Sequence, residues 1–329
     1  VMDIDPTVAM YIAAFIIVAY TFLGGFSAVC WTDFFQGMIM LAALLIAPLF
    51  ALALAKAGDG AATGATLPDG FFNFFTTPQD IISGLGWGLG YFGMPHIIIR
   101  FMSLKSEKEL RKSSVIGISW TTIILIMSAL TAIAGRLYLG EIEDSSTVFI
   151  TMVRRIFPAL VSGLLLSAIL SAAMSTADSQ LLAASSAFAS DVYKPVIRKK
   201  ASDSEMLWAG RIVVIVIAIV ALFIASDPNS GSIMGLVENA WGVFGAAFGP
   251  VILLSLFWKR LTFGGTVAGI AAGAAVDILW LVFLSSTDIY EIVPGFAAGL
   301  LAAVVVSLLS KGPGKDVEDL FDRAVDLKS

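Results

Sequence analysis

The sequence has little of what secreted domains and metalloenzymes use for cross-links and chemistry. Its 329 residues include one cysteine, Cys30, and one histidine, His96, which excludes a disulfide framework and a metal site built from Cys or His side chains. Only 14% of the residues are charged and the net charge is −5, which argues against a nucleic-acid partner. In contrast, 58% are hydrophobic, well above the roughly 45–50% of soluble domains. The composition predicts an integral membrane protein with the lipid bilayer as its surroundings.

Long apolar runs punctuated by Gly, Pro and charged residues indicate how often the chain crosses the membrane. A helix needs about 20 mostly apolar residues to span the hydrocarbon layer. The runs predict an all-α protein with nine helices, at about 7–23, 29–54, 80–101, 114–135, 157–190, 207–225, 233–257, 264–285 and 289–309. No cytoplasmic segment between them is long enough for a soluble catalytic domain, so we expect any chemistry to lie within the bilayer.

The basic residues predict the orientation, because Lys and Arg concentrate in cytoplasmic loops. Placing four basic stretches inside leaves Val1 outside and the C-terminus cytoplasmic; the stretches are 100–112, 194–211, 259–260 and 311–328. We therefore expect a multi-pass membrane protein, with a transmembrane domain over 1–310 and a cytoplasmic tail over 311–329. Because the chain opens on Val1 and reaches a span almost at once, we interpret its start as lying within a longer protein.

The third predicted helix contains residues that weaken helices. Five glycines and one proline occur within residues 84–95, at a cost of roughly 1 kcal/mol per glycine and ~3 kcal/mol for proline relative to alanine. Transporters use such broken helices to bind substrates and ions near the middle of the membrane. The alternative is close helix packing through small residues. Trp87, Tyr91 and Pro95 recur at a four-residue spacing, so in a helix they share one face.

The fifth predicted helix carries oxygen ligands along one stripe. Ser171, Ser175 and Ser179 lie four residues apart, Thr176 lies beside them, and Asp178 is a carboxylate within an apolar segment. Na⁺ is a hard cation that prefers oxygen ligands, and a carboxylate at membrane depth is usually functional. The pattern fits a cation site, although hydroxyl-mediated helix packing would give the same stripe.

Three further acids lie in or at the ends of predicted helices. Asp33 fits either a helix N-terminal cap or an ion ligand. Glu238 lies near the outer end of the seventh helix, where solvation or a place in a gate fits better than coordination. Asp277 lies deep in the eighth helix, and the sequence identifies no partner for it.

Four stretches of the sequence resemble the sodium:solute symporter family, and within it the proline symporters. They occur in order along the whole chain, at residues 20–26 with 31–33, 90–96 with 100–102, 172–176 with 191–194, and 244–250. The resemblance implies an inverted-repeat fold of five plus five helices with additional helices at both ends, thirteen spans in all. About nine of the thirteen are then present and the first four are not. We expect such a piece not to transport by itself.

The resemblance also implies which residues form the sites. Trp87, Tyr91, Met94 and Pro95 correspond to the substrate helix. The carbonyl of Ala172 and the hydroxyls of Ser175 and Thr176 correspond to part of a sodium site. The residues implied for a second sodium, or for a proton in its place, are Asp33, Asp178 and Ser179. The family usually has a hydroxyl where Asp178 stands, and some proline carriers have an amide where Met94 stands.

The functional prediction is a sodium-coupled symporter of a bacterial inner membrane, and not an enzyme. It imports a small amino acid by alternating access, and the resemblance favours L-proline as that amino acid. Three alternatives remain open from the sequence. The first is a symporter for another small solute, such as a different amino acid or a small carboxylate. The second is a transporter-like sensor or regulator. The third is an intramembrane enzyme, for which Asp33 and Asp178 are the only candidate pair of acids.

Overall fold

A computed structural model describes residues 5–60, 66–73, 77–227 and 231–326. Within these residues the regular structure is entirely helical. The helices are α1 (Pro6–Ala57), α2 (Pro78–Gly90), α3 (Pro95–Met102), α4 (Glu107–Leu139), α5 (Val148–Ile156), α6 (Ala159–Ala187), α7 (Asp203–Ser226), α8 (Ile233–Phe257), α9 (Phe263–Phe283), α10 (Ile292–Leu309) and α11 (Lys315–Asp326). A π-helical stretch, Phe188–Ile197, continues α6, and short 3₁₀ turns lie at Ser145–Thr147 and Ser285–Thr287.

Seven of the described helices are long and apolar enough to cross a membrane, which confirms the prediction of an all-α membrane protein. Two differences from the nine predicted segments have simple causes. The first two predicted segments are the two parts of the 52-residue α1, which is interrupted at Gly25. The third is divided into α2 and α3, and each of these helices is too short to span alone. The sequence prediction missed α5, a nine-residue helix.

Side chains at the helix starts explain where several helices begin. Thr77, Ser202, Ser232 and Thr262 each accept a hydrogen bond from a backbone N–H in the first turn of α2, α7, α8 and α9. Such caps satisfy N–H groups that have no partner inside the helix. Proline also stands in the first turn of α2 and α3, where its missing N–H costs nothing.

The described chain divides into two compact units. The first unit comprises residues 1–71 and 104–227, with α1, α4, α5, α6 and α7. In its core, small side chains of α1 such as Ala43 and Ala47 pack against Tyr138 of α4, Met152 of α5 and Leu165 of α6. These alanines are fully buried, so the helix backbones approach closely.

The second unit comprises residues 72–103 and 228–329, with α2, α3 and α8 to α11. Here α8, α9 and α10 pack through glycines, and Gly273 of α9 lies directly against the backbone of Ala246 on α8. The predicted tail forms the helix α11, in which Asp322 makes an ion pair of 2.5 Å with Lys259, just after α8.

Candidate functional site

The first group of predicted site residues lies at the break between α2 and α3 in the second unit. The α2 helix ends at Gly90, Met94 adopts an extended conformation, and α3 begins at Pro95. Residues 91–94 therefore leave the regular helix, as the glycines and proline predict. Met94 is buried, whereas Tyr91 and Pro95 are exposed in the chain alone.

Trp241 of α8 joins two of these predicted residues. Its indole stacks on that of Trp87, with ring centroids 5.7 Å apart, and its Nε1 donates a 2.9 Å hydrogen bond to the Trp87 carbonyl. The ring of Tyr91 meets Trp241 edge-on at 4.8 Å, and the ring of Tyr290 stacks with that of Trp87 at 5.9 Å. The result is an aromatic cluster at the end of α2, formed by Trp87, Tyr91, Trp241 and Tyr290.

The glycines around the break also serve close packing. A Cβ on Gly90 would collide with the Trp241 ring, and one on Gly93 would collide with the carbonyl of Phe244. Gly84 and Gly88, by contrast, have no atom near the position of an added Cβ. Both interpretations of the glycine run therefore apply, since the helix is broken and some of its glycines permit close contact with α8.

The second group lies on α6 in the first unit. The carbonyl oxygen of Ala172 accepts hydrogen bonds from Ser175 Oγ at 3.2 Å and Thr176 Oγ1 at 3.0 Å. One turn of helix thus places the three predicted sodium-site oxygens together. Hydroxyl and carbonyl oxygens are suitable ligands for a hard monovalent cation. This group is the α6 oxygen cluster.

Asp178 lies in the next turn of α6 and is fully buried. Tyr20 of α1 donates a 2.6 Å hydrogen bond to Asp178 Oδ2, and Ser179 Oγ lies 3.3 Å from Asp178 Oδ1. Ser179 Oγ is also 3.4 Å from Asp33 Oδ2. The structure therefore brings Asp33, Asp178 and Ser179 together, and it adds Tyr20 to them. These four residues form the acidic cluster of the first unit.

A break in α1 allows both of its parts to reach this cluster. Tyr20 precedes Gly25 and Asp33 follows it, yet both contact the two-residue stretch Asp178–Ser179. Gly25 has φ 59° and ψ −160°, a combination that essentially only glycine adopts. The interruption at Gly25 thus positions two parts of one long helical segment on the same turn of α6.

The sequence did not identify Tyr20 or Trp241 as site residues. Tyr20 is 158 positions from Asp178, and Trp241 is 154 positions from Trp87, so no local spacing relates either pair. The available signals were a tyrosine four residues before the pair Gly24–Gly25, and a tryptophan shortly before the stretch 245–250, which is rich in small residues.

The chain is similar to a family of known proteins. The family model of the sodium:solute symporter family matches residues 1–273. The chain is 43% identical to the high-affinity proline transporter PutP of Bacillus subtilis, over 100% of this chain and 71% of that protein. It is 42% identical to the osmoregulated proline transporter OpuE of the same organism, over 96% of this chain and 66% of the relative. A sodium/proline symporter of Haemophilus influenzae is 42% identical to the chain, over 98% of this chain and 68% of that protein.

A solved structure confirms the fold. A Na⁺-coupled sialic acid symporter, in a substrate-bound outward-open state, matches with a TM-score of 0.74 over 95% of this chain and 69% of that chain. The sequence identity is 21%, so this similarity concerns the fold. The chain spans about two thirds of the length of these relatives. Taken with the match of the family model over most of the chain, these similarities show that the chain belongs to the sodium:solute symporter family, whose members are sodium-coupled membrane transporters and not enzymes.

Proposed function

We propose that the protein containing this chain is a sodium-coupled symporter that imports L-proline across a bacterial inner membrane, with its C-terminus in the cytoplasm. The observation that carries the coupling is the α6 oxygen cluster, in which Ala172, Ser175 and Thr176 present three oxygens from one helical turn. Proline as the substrate is supported by three relatives of 42–43% identity, each of which is named for proline.

The break between α2 and α3 is the proposed substrate region. Trp87 and Tyr91 offer aromatic surface, Met94 offers a buried apolar side chain, and Pro95 starts a new helix. The N-terminus of α3 carries backbone N–H groups and the positive end of a helix dipole, which favour a carboxylate. A small zwitterion with an apolar ring suits this combination.

The acidic cluster of the first unit is the proposed second cation site. Asp33, Asp178 and Ser179 supply its oxygens, and the Tyr20 hydroxyl holds Asp178 in place. Two carboxylates at this depth favour a bound cation, because a carboxylate in the membrane interior is costly unless it is paired. The cation is a second Na⁺ or a proton.

The energy available from one Na⁺ is sufficient for uptake. Movement of one Na⁺ down a potential of ~100 mV and a tenfold concentration gradient releases about 3.7 kcal/mol. That free energy supports a gradient of about 500-fold for a solute without net charge.

The experiment is uptake of labelled proline into proteoliposomes under an imposed Na⁺ gradient. We expect uptake to require Na⁺ and to be lost in Ser175→Ala/Thr176→Ala, which removes two of the three oxygens. The matched control is Ser167→Ala on the same helix, and it should transport normally. Within the described part of the chain, the Ser167 hydroxyl donates to the carbonyl of Leu164.

Competition by other solutes separates the alternatives. Sodium-stimulated uptake of a different amino acid or a small carboxylate, with no uptake of proline, would show that the substrate is not proline and that transport is still coupled to Na⁺. Absence of sodium-stimulated flux for every solute tested would contradict the transport function and leave the sensor alternative.

A further inference from the structure

Two acidic side chains that belong to none of the sites described above are buried beside each other in the second unit, next to the aromatic cluster. Asp277 of α9 is fully buried, and Glu291, just before α10, is 7% exposed. Both lie against Gly242 of α8, which follows Trp241 in the chain, and Glu291 itself follows Tyr290. A Cβ built on Gly242 would be 2.9 Å from Asp277 Oδ1 and 3.3 Å from the Cγ of Glu291.

Three of the four carboxyl oxygens of this pair are buried without a hydrogen-bond partner. Within the described part of the chain, this is true of both carboxyl oxygens of Asp277 and of Glu291 Oε1. A buried carboxylate without hydrogen bonds or a counter-charge is strongly unfavourable, and each such group in a native structure requires an explanation. At membrane depth the cost is not relieved by water.

Among the described residues of the second unit, the helices packed against the pair supply no positive charge. The titratable groups on the neighbouring elements are Glu238 of α8, Tyr290 beside Glu291, Asp288 in the connection from α9, and Asp80 of α2. The hydroxyl of Tyr290 donates to the carbonyl of Glu238, at 2.8 Å. The sequences of α2, α8, α9 and α10 contain no Lys, Arg or His.

The space around the pair is small. A Cβ on Gly295 of α10 would lie 2.9 Å from the Asp277 Cβ, so α8 and α10 both contact Asp277 through glycines. A sodium ion needs several oxygen ligands and room for them, whereas two carboxyl groups held close together bind a proton without further ligands.

We propose that Asp277 and Glu291 form a proton-binding site that holds at least one proton at neutral pH. The bound proton removes the repulsion between two buried carboxylates and allows α8, α9 and α10 to pack through their glycines. The ligand of this site is a proton, and the site is separate in the chain from the oxygens of α6. This inference does not depend on which solute the protein transports.

Infrared spectroscopy of the protein in lipid vesicles at neutral pH tests the proposal. A protonated buried carboxyl gives a C=O stretching band that shifts when H₂O is exchanged for D₂O. We expect such a band in the unchanged protein and the loss of one of its components in Asp277→Asn. Asp288→Asn is the matched control, since it makes the same chemical change at an exposed residue whose positive φ asparagine accepts, and it should retain every component.

Two further variants make the assignment specific. Glu291→Gln should shift the component assigned to Asp277, and it provides a readout if Asp277→Asn does not fold. Asp178→Asn should leave that component in place. The proposal is overturned if the unchanged protein has no such band, or if neither Asp277→Asn nor Glu291→Gln affects the component. It is also overturned if the component disappears in Asp178→Asn, or when Na⁺ replaces K⁺ in the buffer.

Discussion

Tyr20 is the residue that most changes the interpretation of Asp178. The sequence presents Asp178 as a carboxylate within an apolar helix, and the structure gives it a 2.6 Å hydrogen bond from a residue on a different helix. A hydrogen bond to a charged group contributes about 1.5–3 kcal/mol. Tyr20 therefore fixes the position of a carboxylate that would otherwise be free to turn away from Ser179.

Removing that hydroxyl should weaken the acidic cluster. We expect Tyr20→Phe to lower the free energy of unfolding by about 1–3 kcal/mol, because Asp178 Oδ2 remains buried without its donor. The measurement is the thermal unfolding midpoint in detergent. Tyr11→Phe, at an exposed position earlier in α1, is the control and should not change it. Equal midpoints for Tyr20→Phe and the control would contradict the role given to Tyr20.

The charge of Asp178 should determine how many cations move with each solute. We expect Asp178→Asn to reduce the number of cations per proline, because the second cation site then has one carboxylate instead of two. The measurement is the Na⁺ gradient at which proline flux reverses in proteoliposomes, at two pH values. An unchanged reversal condition at both pH values would contradict a second cation at this cluster.

At the scale of the element, the interrupted helices were the part of the fold that the sequence predicted best. The glycines and Pro95 predicted a break in the third segment, and the structure places that break at residues 91–94. The sequence also separated residues 7–23 from 29–54, and Gly25 lies in that gap. The sequence could not reveal what crosses each break, because those contacts join distant parts of the chain.

The conformation of Gly25 makes a direct prediction about α1. We expect Gly25→Ala to destabilise the protein by about 1–3 kcal/mol, since an alanine rarely adopts φ 59° with ψ −160°. Gly117→Ala is the control, because Gly117 is helical, has open space around it, and should gain up to about 1 kcal/mol from alanine. Thermal unfolding in detergent compares the two. A Gly25→Ala protein as stable as Gly117→Ala would show that α1 does not need this interruption.

The contact between α2 and α8 gives a second prediction at this scale. We expect Gly90→Ala to displace Trp241 and to reduce proline affinity, because the added methyl would occupy the position of the indole ring. Gly88→Ala has open space at its Cβ and should bind proline normally. Equilibrium binding of labelled proline distinguishes them. Equal affinities of Gly90→Ala and Gly88→Ala for proline would show that the aromatic cluster is not part of the substrate region.

At the scale of the whole molecule, the sequence predicted the class of protein better than it predicted how the helices pack. Composition predicted a helical membrane protein, and motifs spread along the chain predicted the family, which the comparisons confirm. Periodicity did not predict α5 or the partners of the buried acids, because those depend on contacts between residues far apart in the chain. The division of the chain at residue 310 into a membrane domain and a tail stays a prediction.

We expect the ion pair that attaches the C-terminal helix α11 to Lys259, just after α8, to depend on pH. The hydrogen bond from Lys259 to Asp322 raises the pKa of the Lys259 ammonium above its usual value. A raised pKa in the folded state means that the attachment is present at neutral pH and is lost as the pH rises through that raised value, above about 10.4.

A spin label at Ala324→Cys, in a Cys30→Ser background, reports this attachment. We expect the label to be restrained at neutral pH and mobile both at strongly alkaline pH and in Lys259→Gln at neutral pH. Lys315→Gln is the control and should behave like the unchanged protein. A label equally mobile with and without Lys259 would show that the ion pair does not hold α11.

The central claim is that Na⁺ and proline bind to the same protein in a coupled way. Coupling is reciprocal, so Na⁺ must raise the affinity for proline by the same factor by which proline raises the affinity for Na⁺. The most direct measurement is the dissociation constant of labelled proline in detergent, with Na⁺ replaced stepwise by K⁺ at constant ionic strength. We expect proline to bind at least about tenfold more tightly in Na⁺ than in K⁺, and we expect this difference to be lost in Ser175→Ala/Thr176→Ala. Equal affinity for proline in Na⁺ and K⁺ would contradict the central claim.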